Sequence, residues 1–108
     1  MHRPTVKVIR YRLRDGCEER AFLEASEALV PELATLDGFM GRELQRAEDG
    51  GWADIVYWRT REDADRSESR IQGLPTCTRC IAMMDAATMT VTHLELVQDS
   101  GRVASVAA

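Results

Sequence analysis

The segment Trp52-Ala53-Asp54-Ile55-Val56-Tyr57-Trp58, followed at once by Thr60-Arg61-Glu62-Asp63-Ala64, constrains the fold more than any other stretch of the chain. It places both tryptophans and one of two tyrosines in seven residues of strand-forming character. Thr60 with Asp63 three positions on then offers a side-chain acceptor for a helix start. A strand that feeds directly into a helix belongs to a sheet covered by helices, and the rest of the sequence can be read around that unit.

Val6 to Arg14 alternates with period two, with Lys7, Ile9, Tyr11 and Leu13 on one face and Val6, Val8, Arg10 and Arg12 on the other, which predicts a first strand. Asp15 and Glu18 form a capping-box pattern ahead of a helix whose apolar positions include Phe22, Ala25, Leu29, Leu33 and Leu36. Pro31 is expected to kink that helix, because proline cannot donate to the carbonyl four residues before it. Asp37-Gly38 closes it. A strand from Phe39 to about Glu48 and the turn Glu48-Asp49-Gly50-Gly51 then lead into the tryptophan strand as a hairpin. The helix from Thr60 should end near Gly73 and, with Ala64 and Ile71 as its clear apolar anchors, be loosely held. A short helix after Leu74-Pro75 carries Cys77, Cys80, Ile81 and Met84, and a last strand is expected over Thr88 to Val97.

The order strand, helix, strand, strand, helix, strand is the split βαβ pattern of an α+β, ferredoxin-like βαββαβ fold, a four-stranded antiparallel sheet with its helices on one face. The 108 residues make one domain, 1–97, with a weakly patterned tail, 98–108, expected to be mobile. Ile9, Tyr11, Leu13, Met40, Leu44, Ile55, Tyr57, Leu94 and Leu96 are predicted to form the side under the helices. Trp52, Val56 and Trp58, with Val6, Val8, Asp54 and His93, then fall on the uncovered side, which is too apolar to stay wet, so a homodimer is expected.

The formal charge is −4 and the basic residues, nearly all Arg, are scattered among acids. That argues against nucleic acid or an anionic membrane surface as partner. No apolar run reaches the roughly 18 residues of a membrane span, and a cytoplasmic location is expected. Three cysteines cannot all pair, so reduced thiols are the default.

The Gly38-Phe39 entry to the second strand, the Asp54 to Trp58 strand with its Glu62-Asp63-Ala64 helix start, and the Met89-x-Val91-x-His93 strand resemble the antibiotic-biosynthesis monooxygenase superfamily of dimeric α+β barrels. The likeness covers roughly Thr5 to Val97. It implies a cofactor-independent monooxygenase-like protein acting on a small aromatic or polyketide-like molecule, with a non-catalytic, ligand-binding or stress-associated dimer as the alternative. The quinone-forming oxygenases and the haem-degrading members of that superfamily use an Asn. This chain contains no asparagine, and it has Cys77 and Cys80 where the haem branch has a His. No cofactor or metal is therefore expected.

Among the candidate site residues, His93 is the side chain whose ordinary pKa near 6.5 suits a general base, since His2 lies at the terminus. Asp54 would orient it and Arg10 would hold the anion that forms. The same three residues on one sheet face are also a common structural hydrogen-bonded set. Tyr11, Tyr57 and Trp58 are candidate ligand-binding residues for a flat aromatic molecule, although strand aromatics more commonly serve as packing anchors. The best place for a ligand is between the sheet and the Arg61 to Met84 region. Cys77-Thr78-Arg79-Cys80 has dithiol spacing, but it follows a helix rather than a strand and reads more simply as the buried face of a short helix.

Overall fold

The computed structural model describes residues 3–101. The elements run β1 (Thr5–Leu13), α1 (Glu19–Leu33), β2 (Phe39–Arg46), β3 (Trp52–Trp58), α2 (Arg61–Ile71), α3 (Pro75–Ala82) and β4 (Met84–Glu95). The strands form one antiparallel sheet in the order β2-β3-β1-β4. The expected ferredoxin-like arrangement is the one found. Residues from all three helices (Phe22, Leu29, Ala64, Cys77, Cys80) share one core with Tyr11, Trp52, Val56 and Trp58, so the helices cover the same face of the sheet. No helix among the described residues is long and apolar enough to cross a membrane.

Three element boundaries differ from the sequence reading, each for a local reason. Asp15 and Gly16 form a turn closed by the Cys17 N–H on the Arg14 carbonyl. The helix therefore starts later, at Glu19, with Glu18 as a cap residue whose side chain makes no capping bond. At its other end α1 stops at Leu33, where the chain tightens into Thr35 N–H to Glu32 and Leu36 N–H to Leu33 bonds. The last strand begins at Met84 rather than Thr88. Its pairing with β1 skips between Arg10↔Thr90 and Arg12↔Asp85, a bulge in which Thr88 Oγ1 accepts the Arg12 N–H and donates to the Asp85 carbonyl. The expected tail begins within the described residues, and 102–108 lie outside them.

The assignment of β3 and β4 to the two faces requires correction. On β4, His93 pairs with Lys7 and Val91 with Ile9, so both lie on the face under the helices, while Leu94, paired with Val6, lies on the uncovered one. Ile9 pairs with Asp54 and Tyr11 with Trp52, and directly paired residues share a face. Trp52, Asp54, Val56 and Trp58 thus lie under the helices with Ile9 and Tyr11, and Trp58 is only 1% exposed. Ile55 and Tyr57 lie on the uncovered face, where the Tyr57 hydroxyl donates to Glu43 Oε1. The apolar side of β3 looked like Ile55 and Tyr57 because the other side carries an aspartate. The fold buries that aspartate and satisfies it.

Gly38 holds the α1–β2 connection close to α2. Its φ is +82°, and a β-carbon there would collide with the Asp63 carboxyl group at the start of α2. Asp63 N–H in turn donates to the Thr60 hydroxyl, the cap that the sequence predicted.

Candidate functional site

The chemistry concentrates at Asp54, in the middle of β3. One carboxylate oxygen accepts the Tyr11 hydroxyl at 2.6 Å, and the other accepts from Arg42 of β2, which also forms an ion pair with it. Arg42 donates a further bond to the Ser26 carbonyl of α1 at 3.2 Å, so the guanidinium bridges sheet and helix. The Arg42 and Asp54 side chains are 6% and 8% exposed. An ion pair taken out of water to this degree persists only when its remaining hydrogen-bonding capacity is met, as it is here. Burial, then the adjacent Asp54 charge, pushes the Tyr11 hydroxyl far above its ordinary value, so it stays a proton donor across the physiological range.

Two cavities open on this group. One, of about 90 Å³, lies between β3 and the α1–α3 pair, with Leu29, Leu33, Val56, Cys77 and Cys80 around Arg42 and Asp54. The second, of about 340 Å³, extends under α2 and α3 toward β4 and is walled by Ile71, Ile81, Met84, Met89 and Val91. Asp54, Ile9, Ile71, Ile81 and Met84 border both. They form a cleft with apolar walls and one polar floor, in the position expected from the sequence. It exists because α2 presents charged residues over most of its length and buries only Asp63, Ala64 and Ser67.

At the β4 end of this cleft stands a second polar group. Lys7 of β1, on the same face as Ile9, donates to Glu68 Oε1 at 3.2 Å. His93 is the residue paired with Lys7. A ligating atom of His93 lies within 4.8 Å of carboxylate oxygens of Asp65 and Glu68, both on α2. Its Nε2 is buried without a hydrogen-bond partner. Burial, then the Arg61 and Lys7 charges, lowers the imidazole pKa below its ordinary value, so His93 is neutral at pH 7. This is the one group of His, Cys and carboxylate side chains with metal-binding spacing among the described residues. Its carboxylates already have cationic partners, Arg61 on Asp65 and Lys7 on Glu68.

The residues singled out from sequence are therefore divided among four places. Asp54 lies at the cleft floor, and Tyr11 meets it from behind without bordering either cavity. His93 shares their sheet face but is separated from Asp54 by β1 and by one two-residue step along it, roughly 10 Å or more, too far for a hydrogen bond. Arg10 pairs with Ala53 and Thr90 on the opposite face, so the triad of His93, Asp54 and Arg10 does not assemble. Tyr57 also lies on that opposite face, while Trp58 is enclosed in the core edge-on to Phe39 at 5.8 Å and borders neither cavity. The cation beside Asp54 is Arg42, whose signal lay in the hairpin. With a turn at Glu48 to Gly51, Leu44 pairs with Asp54 and Arg42 falls two residues away on the same face.

Cys77 and Cys80 are buried free thiols on the inner face of α3. Burial, then Glu32 nearby, pushes the Cys77 thiol up to about 11, and burial raises that of Cys80. Neither has the lowered pKa of a reactive thiolate.

No protein-family model matches the sequence, and no curated protein matches it. Solved structures do match. SnoaB, a cofactor-independent oxygenase from Streptomyces nogalater crystallised in a mutant form, superposes with a TM-score of 0.72 at 18% identity, over 92% of this chain and 98% of its own. A Bordetella bronchiseptica protein whose name places it with the antibiotic biosynthesis monooxygenases gives 0.73 at 17% identity, over 90% of this chain and 100% of its own. The chain shares their fold. A dimeric ferredoxin-like protein of unknown function from Jannaschia sp. CCS1 follows with 0.65 at 14% identity, covering 86% of this chain and 99% of its own. At these identities the likeness is one of fold, and the chemistry must be argued from the cleft itself.

Proposed function

We propose that this chain is a homodimeric, cofactor-independent monooxygenase-like protein of the antibiotic-biosynthesis monooxygenase type that holds a small aromatic or polyketide-like molecule over Asp54. The observation that carries this reading is the apolar cleft of about 340 Å³ with Asp54 at its floor. A flat phenol of two or three rings fills such a space and presents one hydroxyl to a carboxylate. Asp54 accepts the phenolic proton, Arg42 offsets the negative charge of the phenolate, and Tyr11 fixes the carboxylate in place. The electron-rich phenolate reduces dioxygen. One oxygen atom enters the ring and the other leaves as water, so that a naphthol plus dioxygen gives a naphthoquinone plus water. The name of the Streptomyces neighbour, a cofactor-independent oxygenase, supports this reaction class.

The dimer is supported by the uncovered sheet face and by the Jannaschia neighbour, described as dimeric. Ile55 and Tyr57, half-buried, and Leu94, exposed, lie on that face, whereas Val6, Val8 and Ala53 between them are already buried. It is the first three that offer apolar surface there. These residues replace the tryptophans as the apolar surface that a second copy would cover.

A second reading, a non-catalytic ligand-binding or stress-associated dimer, has its own support. Both Asp54 oxygens are already engaged, by Tyr11 and by Arg42, which weakens the carboxylate as a base. Oxygen-electrode traces with 1-naphthol separate the two. The enzyme reading expects uptake with one equivalent of 1,4-naphthoquinone formed, and a loss of about 10²- to 10⁴-fold in Asp54→Asn, which can still accept from Arg42. Naphthol binding with no oxygen uptake by the parent protein moves the assignment to the binding reading.

A further inference from the structure

Lys7 is the only lysine of the chain, and it sits in the least expected environment for one. Its side chain is 10% exposed, on the stripe of β1 that also carries Ile9 and Tyr11, and it borders the larger cavity. An ammonium group is among the most strongly hydrated side chains, and its burial beside an apolar cavity needs compensation. The compensation it has is slight: one hydrogen bond of 3.2 Å to Glu68, a glutamate 52% exposed on the helix with the fewest apolar anchors. Next to it, His93 keeps a buried Nε2 with no partner. The β4 end of the cleft therefore holds one cation with a replaceable counter-ion, and behind the residues that border the cavity lies one orphaned ring nitrogen.

We infer that the cleft takes ligands carrying an anionic group, a carboxylate or its equivalent, and that Lys7 receives that group in place of Glu68. The inference rests on the cleft being a ligand site, and it defines the ligand further: an apolar ring system with a hydroxyl at the Asp54 end and a negative charge at the Lys7 end. Displaced Glu68 turns to solvent without penalty because it is already half exposed. His93, neutral at pH 7, can donate from Nε2 to the same anion when its proton sits on that nitrogen. A cation is the less fitting occupant of this corner, since it would have to displace both Lys7 and Arg61 from the carboxylates they hold.

The test uses 2-naphthoate and 2-naphthamide, which share shape and apolar area and differ in charge. Both are titrated into the full chain at pH 7.5, with amide chemical shifts as the readout. Naphthoate is expected to bind about tenfold more tightly, the scale of one charge-assisted hydrogen bond. Lys7→Met should bring naphthoate down to the level of naphthamide and leave naphthamide unchanged. Glu68→Gln, a surface change that removes the competing carboxylate and spares the fold, should tighten naphthoate alone. Naphthamide binding with no preference for naphthoate, or a Glu68→Gln change that leaves the ratio untouched, overturns the role of Lys7 while leaving the cleft standing. Binding of neither compound removes the cleft as a ligand site, and the inference with it.

Discussion

The two halves of the helix-covered sheet face are built in opposite ways. Under α1, Phe22 is fully enclosed and packs edge-on to Tyr11 at 6.0 Å and tilted against Trp52 at 5.3 Å, with Ala25, Leu29 and Leu33 continuing the seam. Under α2 and α3 the sheet meets a charged helix that buries an aspartate, an alanine and a serine, and an Ile81 that is itself exposed. The first half leaves only the cavity of about 90 Å³ beside Leu29 and Leu33, and the second opens the cavity of about 340 Å³. Tight packing and open space thus occupy neighbouring parts of one surface, with the buried Tyr11–Asp54–Arg42 group on the seam between them.

That contrast is open to direct attack. Its largest expected consequence is at Phe22. Phe22→Ala should cost about 3–5 kcal/mol by urea denaturation, as large aromatic truncations in tight cores do, whereas Ile81→Ala should cost well under about 1 kcal/mol because its side chain is half in solvent already. Similar losses at both positions would erase the distinction. A smaller effect is expected on the seam. Tyr11→Phe removes one hydrogen bond to a buried carboxylate and should cost about 1.5–3 kcal/mol with no change in the far-ultraviolet spectrum.

The smallest effect is expected in the pH dependence at the β4 end. His93 has a folded-state pKa below its unfolded value, so the unfolded chain binds more protons, and the stabilising contribution is complete above about pH 6.5. It is lost as the pH falls through the lower folded value. The groups around it are Arg61 and Lys7, which favour the neutral ring, and Asp65 and Glu68, which oppose them. Melting temperatures should therefore decline gently from pH 7 to pH 5, and His93→Gln should flatten that slope. An unchanged slope in the variant would place the titrating group elsewhere.

Most of the fold was legible because its signals were local: period-two strands, the Thr60 cap, the Gly50-Gly51 turn and the order of elements. The phases of β3 and β4 against β1 were not, and for β3 the reason is a single residue. Asp54 made its side of the strand look solvated, and only Arg42 and Tyr11, 12 and 43 positions away, make it tolerable inside. The same long-range dependence hid the site. The sequence groups Asp54 with His93 and Arg10 and treats Tyr11 separately, whereas the hairpin register brings Arg42 to Asp54 and the β1 register brings Tyr11.

The strand order β2-β3-β1-β4 also bears on how the chain comes to be folded during synthesis. β1 is made first, yet it sits in the interior of the sheet, between β3 and β4. When Trp58 has left the ribosome, the β2–β3 hairpin can form and β1 can join it, but the other edge of β1 has no partner until residues up to Glu95 appear. A nascent chain at that stage exposes Thr5 to Leu13 as an open strand edge beside Trp52 and Trp58. Closing the sheet means bringing together residues as far apart as Thr5 and Glu95, the kind of distant pairing that slows folding and leaves unfinished chains dependent on chaperones.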